Sequence, residues 1–121
     1  MRTIIAGSRT VTRHEYLLSA VRAITWTPTE IISGAARGAD ALGERWALAN
    51  RIPLRRMPAD WNRHCRRAGF LRNVEMAQCA DALLALWDGK SAGTAHMIDI
   101  ATRSGLVVSV WRVPCPRETG L

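Results

Sequence analysis

The segment Ala82-Leu83-Leu84-Ala85-Leu86-Trp87 is apolar throughout, and the turn dipeptide Asp88-Gly89 follows it directly. A run of this length without a polar residue is typical of a strand in a parallel sheet that helices cover on both faces. Such a strand requires further strands beside it and helices above and below it. The segment therefore predicts an α/β protein.

Four further β-like runs alternate with four helical patterns on either side of this segment. The alternation predicts a Rossmann-like three-layer α/β/α fold with a five-stranded, mostly parallel sheet. We predict one domain over residues 1–113 and a frayed C-terminal tail over residues 114–121. The predicted strands cover residues 2–6, 30–33, 53–57, 82–87 and 106–111, and the predicted helices cover residues 12–24, 39–50, 66–79 and 93–103.

Two of the predicted helices carry more detailed expectations. Thr12 and Glu15 have the spacing of a capping box, which would start the first helix at this point. In the third helix, Leu71, Val74 and Gln78 recur at helical spacing, so we expect them on one face.

The positive charge of the chain is concentrated in one segment. The formal net charge is +7, and the segment from Arg51 to Arg72 holds seven arginines against a single acid, Asp60. A concentrated basic segment predicts an anionic partner, which is a nucleotide, a nucleic acid or an acidic protein.

The remaining composition excludes several classes of protein. Three widely spaced cysteines predict reduced thiols rather than a disulfide framework, and three scattered histidines predict no metal site. The longest apolar run has six residues, so we expect no membrane span, and the N-terminus lacks a signal-peptide pattern. We therefore expect a cytoplasmic protein.

Four loops that follow predicted strands are rich in Gly, Ser, Asp and Arg residues, whereas the loops that follow helices carry no comparable number of Gly, Ser and Asp residues. Right-handed crossovers bring all four to the carboxyl edge of the sheet, where ligands of open α/β sheets bind. The loops are Gly7-Ser8-Arg9, Ser33-Gly34-Ala35-Ala36-Arg37-Gly38-Ala39-Asp40, Pro58-Ala59-Asp60-Trp61 with the later Ala68-Gly69-Phe70-Leu71-Arg72-Asn73, and Trp87-Asp88-Gly89-Lys90-Ser91-Ala92-Gly93-Thr94.

These residue types suit a phosphate-bearing, nucleotide-derived ligand. Glycines allow close backbone approach, helix N-termini attract anions, and arginines bind phosphate through two parallel hydrogen bonds. Aspartates accept hydrogen bonds from ribose hydroxyls or a base edge, and an exposed tryptophan can stack on a base. The predicted ligand-binding residues are Gly7, Ser8, Arg9, Ser33, Gly34, Arg37, Gly38, Asp40, Asp60, Trp61, Arg72, Asn73, Asp88, Ser91, Gly93 and Thr94. We identify no cofactor.

Purely structural roles stay open for several of these residues. Gly7 and Gly89 also fit simple turns, Asp40 also fits a helix cap, and Asp88 with Gly89 also fits a turn dipeptide. The loop after the second strand matches neither standard phosphate-binding fingerprint.

The same loops resemble the SLOG superfamily, which unites LOG-type nucleotide hydrolases with DprA/Smf DNA-processing proteins. The resemblance is strongest to its YspA-like branch of small bacterial and phage proteins, and it runs from residue 4 to about residue 110. It implies a Rossmann-like, nucleotide-binding domain over residues 1–113, and self-association. The matching pieces are Gly7-Ser8-Arg9, residues 33–40, Ala59-Asp60-Trp61, Ala68-Gly69, Arg72-Asn73 with Met76, and Trp87-Asp88-Gly89 through Ser91, Gly93-Thr94 and Met97-Ile98.

The resemblance also bears on whether the protein is an enzyme. LOG-type hydrolases carry a Pro-Gly-Gly-x-Gly-Thr-x-x-Glu motif, whose glutamate acts with an arginine; here Gly93-Thr94 match, but Met97 stands at the glutamate position. Hydrolase activity is therefore left open. The candidate catalytic residues are Asp88, Asp60, Arg72 and Glu75.

Three functions remain as hypotheses. We favour binding or sensing of a phosphate-bearing, nucleotide-derived small molecule at the carboxyl edge of the sheet. The first alternative is LOG-like hydrolysis of a nucleotide N-glycosidic bond, which requires an ionised carboxylate near the anomeric carbon. The second alternative is DprA-like binding of single-stranded nucleic acid through the basic segment, which would be salt-sensitive.

Overall fold

Five parallel strands form the central sheet of the computed structural model, which describes residues 1–115 apart from the side chain of Arg66. The strands lie in the order β3-β2-β1-β4-β5, and every neighbouring pair is parallel. This confirms the predicted Rossmann-like α/β fold. The strands are β1 (Arg2–Gly7), β2 (Glu30–Ser33), β3 (Leu54–Arg56), β4 (Ala82–Trp87) and β5 (Val107–Arg112).

Helices cover both faces of this sheet. Alternate residues of one strand point to opposite faces, so Ile5 of β1 packs in one core cluster, with Leu17 and Leu42, whereas Ile4 packs in the other, with Met76 and Met97. The helices are α1 (His14–Ala23), α2 (Ala39–Ala49), α3 (Trp61–His64), α4 (Ala68–Cys79) and α5 (Ala92–Arg103), and a 3₁₀ turn (Cys65–Arg67) joins α3 to α4. Helices α1 and α2 lie on the first face, and α4 and α5 on the second.

The strand order reverses between β1 and β4. The chain leaves β1 toward β2 on one side of the sheet, and it returns to β4 on the other side. The loops that follow these two strands therefore diverge, and a crevice opens between them at the carboxyl edge.

The predicted capping box at the start of α1 is wrong. The helix begins at His14, and its N-cap is Arg13, whose side chain caps no amide of the described helix. Val11 is buried and its amide donates to the Ser8 carbonyl oxygen at 3.2 Å. This turn keeps the chain non-helical past Thr12, so the helix starts too late for Thr12 to cap it.

Helix α4 buries a different set of residues from the three that recur at helical spacing in the sequence. Leu71 and Gln78 are exposed, and the helix instead buries Asn73, Met76 and Ala77. The polar Asn73 turns inward because α5 offers it hydrogen-bond partners.

The predicted C-terminal tail lies largely outside the described residues, which end at Cys115. Within it, Pro114 is exposed and Cys115 is buried. Among residues 1–115, no helix combines the length and the apolar character needed to cross a membrane.

Candidate functional site

A cavity of about 440 Å³ opens at the carboxyl edge of the sheet, in the crevice between the loops that follow β1 and β4. Its volume lies within the range of ~300–1,000 Å³ that small-molecule sites occupy. We call it the main cavity. It is lined by Ala6, Gly7, Ser8, Arg9, Thr10, Ala36, Asp40, Trp61, Gly69, Phe70, Arg72, Asn73, Met76, Asp88, Ser91, Gly93, Thr94 and Met97.

A second cavity of about 360 Å³ adjoins the main cavity. The two share four lining residues, Arg9, Ala36, Trp61 and Arg72. We call it the arginine cavity, because three arginines line it. Its remaining lining residues are Gly34, Ala35, Arg37, Pro58 and Ala59.

The fold brings most of the predicted site residues to these two cavities. Ser33, Gly38, Asp60 and Glu75 lie outside both linings, so two of the four candidate catalytic residues are away from the cavities. The main cavity collects Gly7, Ser8, Arg9, Asp40, Trp61, Arg72, Asn73, Asp88, Ser91, Gly93 and Thr94, and the arginine cavity adds Gly34 and Arg37.

Three of the outlying residues support the surrounding backbone. The Ser33 hydroxyl donates to Glu44 Oε2 at 2.6 Å. Gly38 has φ +75°, and a Cβ there would lie 2.5 Å from the carbonyl oxygens of Ser8 and Arg9. Asp60 caps α3 by accepting a hydrogen bond from the Arg63 amide at 3.1 Å.

Asp88 holds the loop between β4 and α5 in shape. Its Oδ1 accepts hydrogen bonds from the amides of Lys90 and Ser91, both at 2.8 Å, and its own amide donates to the Ser8 hydroxyl at 3.2 Å. Burial of the Asp88 carboxyl raises its pKa, but the hydrogen bonds from Ser91, Lys90 and Ser8 together outweigh burial and leave the pKa below its usual value. Asp88 is therefore an ionised carboxylate at the cavity wall.

The N-terminus of α5 faces the same cavity. Ser91 caps this helix, because its hydroxyl accepts from the Thr94 amide at 3.5 Å and from the Thr94 hydroxyl at 3.1 Å. Gly93 lines the cavity with no side chain, and a Cβ at this position would meet no atom within 4 Å. The positive end of the helix dipole therefore opens into free space beside the backbone.

Arg72 lies opposite, where α4 meets the loop between β2 and α2. Its Nη1 donates to the Gly34 carbonyl oxygen, and its Nε donates to Asn73 Oδ1 at 3.1 Å. Asn73 Nδ2 in turn donates to the Gly93 carbonyl oxygen at 3.3 Å. This chain of contacts ties α4 to the loop after β2 and to the first turn of α5.

Asp40 is less well hydrogen-bonded than Asp88, the other carboxylate of the main cavity. It is 4% exposed, and its Oδ2 accepts from the Ala36 amide at 3.2 Å. Burial raises the pKa of Asp40, and the Ala36 hydrogen bond with the charges of Arg72 and Arg9 offsets this only in part. Burial also lowers the pKa of Arg72, which nevertheless stays protonated because a free guanidinium titrates so far above neutral pH.

Aromatic and sulfur-containing side chains form the apolar part of the main cavity. Trp61 and Phe70 are about half exposed at its mouth, whereas Met76 and Met97 are buried at its base. The Phe70 ring packs against the His96 ring with centroids 4.5 Å apart. Burial lowers the pKa of His96 and so favours its neutral form.

Sequence reasoning missed part of this lining. Phe70, Met76, Met97, Gly69 and Ala36 were not among the predicted ligand-binding residues, although all lie in the motifs that carry the resemblance or directly beside them. That proximity was the available signal. The residue types themselves gave no signal, because apolar residues at helical spacing are most often assigned to the hydrophobic core.

Part of the positive charge of the basic segment is neutralised in the folded structure. Arg55 pairs with Glu30 at 3.5 Å, and Arg56 pairs with Glu44 at 3.2 Å. Acids from outside the segment thus offset two of its charges. Among residues 1–115, no group of three or more His, Cys, Asp or Glu side chains is arranged to hold a metal ion.

The fold and the cavities together define a Rossmann-like α/β protein with a small-molecule-sized site at its carboxyl edge. The model of the YspA, cpYpsA-related SLOG family matches residues 1–64. The Gene 61 protein of Mycobacterium phage D29 is 39% identical over 84 residues, which cover 64% of this chain and 67% of the phage protein. The chain therefore belongs to the YspA, cpYpsA-related SLOG family, as the resemblance predicted. No solved structure matches it significantly.

Proposed function

We propose that this protein binds a phosphate-bearing, nucleotide-derived ligand in the main cavity and senses it without cleaving it. One observation carries the proposal: a helix N-terminus, the half-buried Arg72 and two exposed aromatic rings converge on one cavity of ligand size. Membership in a SLOG family is consistent with a nucleotide-related ligand.

The two sides of the cavity suit the two parts of a nucleotide. The first turn of α5 supplies amide donors for a phosphate, the Ser91 hydroxyl supplies a further donor, and Arg72 supplies a guanidinium from the opposite wall. Trp61 and Phe70 supply faces on which a base can stack, at about 1–3 kcal/mol for each stacked base. The Asp40 carboxylate is placed to accept from a ribose hydroxyl.

Binding without cleavage is favoured by the residue at the base of the cavity. Met97 is 1% exposed and lines the cavity at the position where the LOG-type motif has glutamate. A thioether cannot stabilise an oxocarbenium ion or transfer a proton, so this position supplies no hydrolytic group.

Asp40 makes hydrolysis a second candidate function. It is a buried carboxyl in the cavity wall with a raised pKa, and such groups are enriched among catalytic acids and bases. Release of free base from a bound nucleotide, lost in Asp40→Asn, would establish this function in place of simple binding.

Thermal unfolding against nucleotides, NAD, ADP-ribose and short single-stranded DNA tests the proposal. A ligand at 100 times its dissociation constant adds about 2.7 kcal/mol to the free energy of unfolding. We expect a shift with an intact nucleotide, and we expect Gly93→Leu to abolish it. Gly93→Leu should itself fold, because open space surrounds this position and leucine is the better helix former.

Thr102→Leu is the matched control, because Thr102 is an exposed residue of the same helix outside both cavities. It should leave the ligand-induced shift unchanged. A shift with DNA alone that disappears at high salt, or a nucleotide shift that survives in Gly93→Leu, would contradict the proposal.

A further inference from the structure

The arginine cavity has a one-sided charge that the proposed function leaves unexplained. As far as residues 1–115 form it, its lining contains Arg9, Arg37 and Arg72 and no carboxylate. The main cavity, in contrast, combines arginines with Asp40 and Asp88. Arg9 and Arg72 line both cavities, whereas Arg37 lines only the arginine cavity.

The guanidinium groups of this cavity have unused hydrogen-bonding capacity. The side chains of Arg9 and Arg37 make no hydrogen bond or ion pair with any described residue, while Arg72 is held by the Gly34 carbonyl oxygen and Asn73. The positive charge of Arg9 also contributes to the lowered pKa of Arg72, so these like charges act on each other. A bound anion would relieve that repulsion and use the vacant donors.

The two cavities adjoin at residues that can serve one ligand. Arg9, Trp61 and Arg72 belong to both linings, so they form a neck between the cavities. A phosphate at the N-terminus of α5 would lie in the main cavity on one side of this neck. A second anionic group attached to the same nucleoside would then reach Arg37 on the other side.

We propose that the arginine cavity is a second anion subsite, and that the ligand is a nucleotide with phosphates on both sides of its nucleoside. This inference rests on the proposed function, because it assumes that the nucleoside and its first phosphate occupy the main cavity. The same chemistry occurs in a nucleoside 3′,5′-bisphosphate and at the 5′-phosphorylated end of a short oligonucleotide.

Isothermal titration calorimetry with adenosine 3′,5′-bisphosphate and 5′-AMP tests the inference. We expect the intact protein to bind the bisphosphate about tenfold more tightly, because one charge-assisted contact is worth about that factor. Arg37→Gln should bring the two affinities within about threefold by weakening the bisphosphate alone. Arg37 is exposed and makes no contact on which folding depends, so the variant should fold normally.

Arg45→Gln is the matched control, because Arg45 of α2 is also exposed but lies outside both cavity linings. It should change neither affinity. A 5′-phosphorylated dinucleotide then separates the two ligand sources: tighter binding than the bisphosphate indicates an oligonucleotide end, and equal binding indicates a free nucleotide. Both results require the second subsite.

Two outcomes would overturn the inference, and they differ in whether the proposed function remains valid. Equal affinity for both ligands, or equal weakening of both by Arg37→Gln, removes the second subsite but leaves nucleotide binding in the main cavity intact. Binding of neither ligand to the folded protein overturns the proposed function as well.

Discussion

Two glycine-containing loops lead into helices at the carboxyl edge of the sheet, and they are held in different ways. In the loop between β4 and α5, Asp88 binds the amides of Lys90 and Ser91, and Ser91 caps the helix. In the loop between β2 and α2, the N-cap is Gly38, and the Gly34 carbonyl oxygen is bound by Arg72 of α4. The first loop therefore has a side-chain helix cap and a carboxylate that binds two of its amides, whereas the second loop has no side-chain cap and binds a distant helix through Gly34.

This difference separates two kinds of buried carboxylate. Asp88 accepts two short hydrogen bonds from adjacent amides, and its pKa is lowered. Asp40 accepts one longer bond, and its pKa is raised because burial dominates. The charge of Asp88 therefore stabilises the first loop, whereas the second loop retains a carboxylate that a ligand can still satisfy.

The largest effect on stability is expected from Gly38→Ala in the second loop. A Cβ at Gly38 would overlap two carbonyl oxygens, and its backbone (φ +75°, ψ −124°) is one that glycine alone adopts readily. We expect a loss of about 3 kcal/mol or more in the free energy of unfolding, measured by urea denaturation.

Gly105→Ala isolates the part of this loss that comes from backbone strain. Gly105 has φ +81° but open surroundings, so its substitution should cost only about 1 kcal/mol. Equal losses in the two variants would show that the contact of Gly38 with the loop after β1 contributes nothing.

Substitutions of the two carboxylates should change stability by an intermediate amount, and the sign of the change should differ between the two loops. Asp88→Ala should cost about 2 kcal/mol at neutral pH, because it removes two hydrogen bonds to a charged group. Asp40→Asn should instead stabilise the ligand-free protein at neutral pH, because it removes a buried charge and keeps an acceptor for the Ala36 amide.

The pH dependence of urea unfolding distinguishes the two carboxylates. The lowered pKa of Asp88 makes a contribution to stability that is present above the unfolded-state pKa of about 4 and is lost as the pH falls below it. The raised pKa of Asp40 makes a contribution that is present below about pH 4 and is lost as the pH rises through the folded-state value. The stability gain of Asp40→Asn should therefore vanish in acid. A gain that persists below pH 4 would contradict this account.

The smallest effect is expected from the cap of α5. Ser91→Ala removes the acceptor for the Thr94 amide and should cost about 1 kcal/mol, whereas Ser91→Gly should cost only a few tenths. Thermal unfolding without ligand measures both. Indistinguishable alanine and glycine variants would mean that the serine hydroxyl does not contribute to the stability of this loop.

Much of the fold could be predicted from the chain because its signals are local. The apolar run of β4 and the alternation around it determine a parallel sheet with helices on both faces, and the turn expected at Asp88 and Gly89 is present, with Gly89 at φ +81°. Because the crossovers are right-handed, the sequence also predicted that the loops rich in glycine and charged residues meet at one edge of the sheet.

The errors occurred where a distant partner outweighs a local pattern. Thr12 and Glu15 have the spacing of a capping box, but burial of Val11 delays the start of the helix. The burial of Asn73 in α4 was also not predicted, because its hydrogen-bond partners are on α5. The short helix α3 was missed because its four residues carry no periodicity that a sequence pattern can reveal.

Local patterns in the chain were enough to predict the α/β class, the succession of strands and helices, and the edge at which the unusual residues gather, since these follow from periodicity and chirality. Packing in three dimensions was needed to see that Arg72 lines both cavities, that Asp40 is buried with a single amide bond, and that Ser33, Gly38 and Asp60 lie outside the cavity linings. The physical reason is that burial and charge balance depend on groups from other elements, whose positions no local pattern encodes.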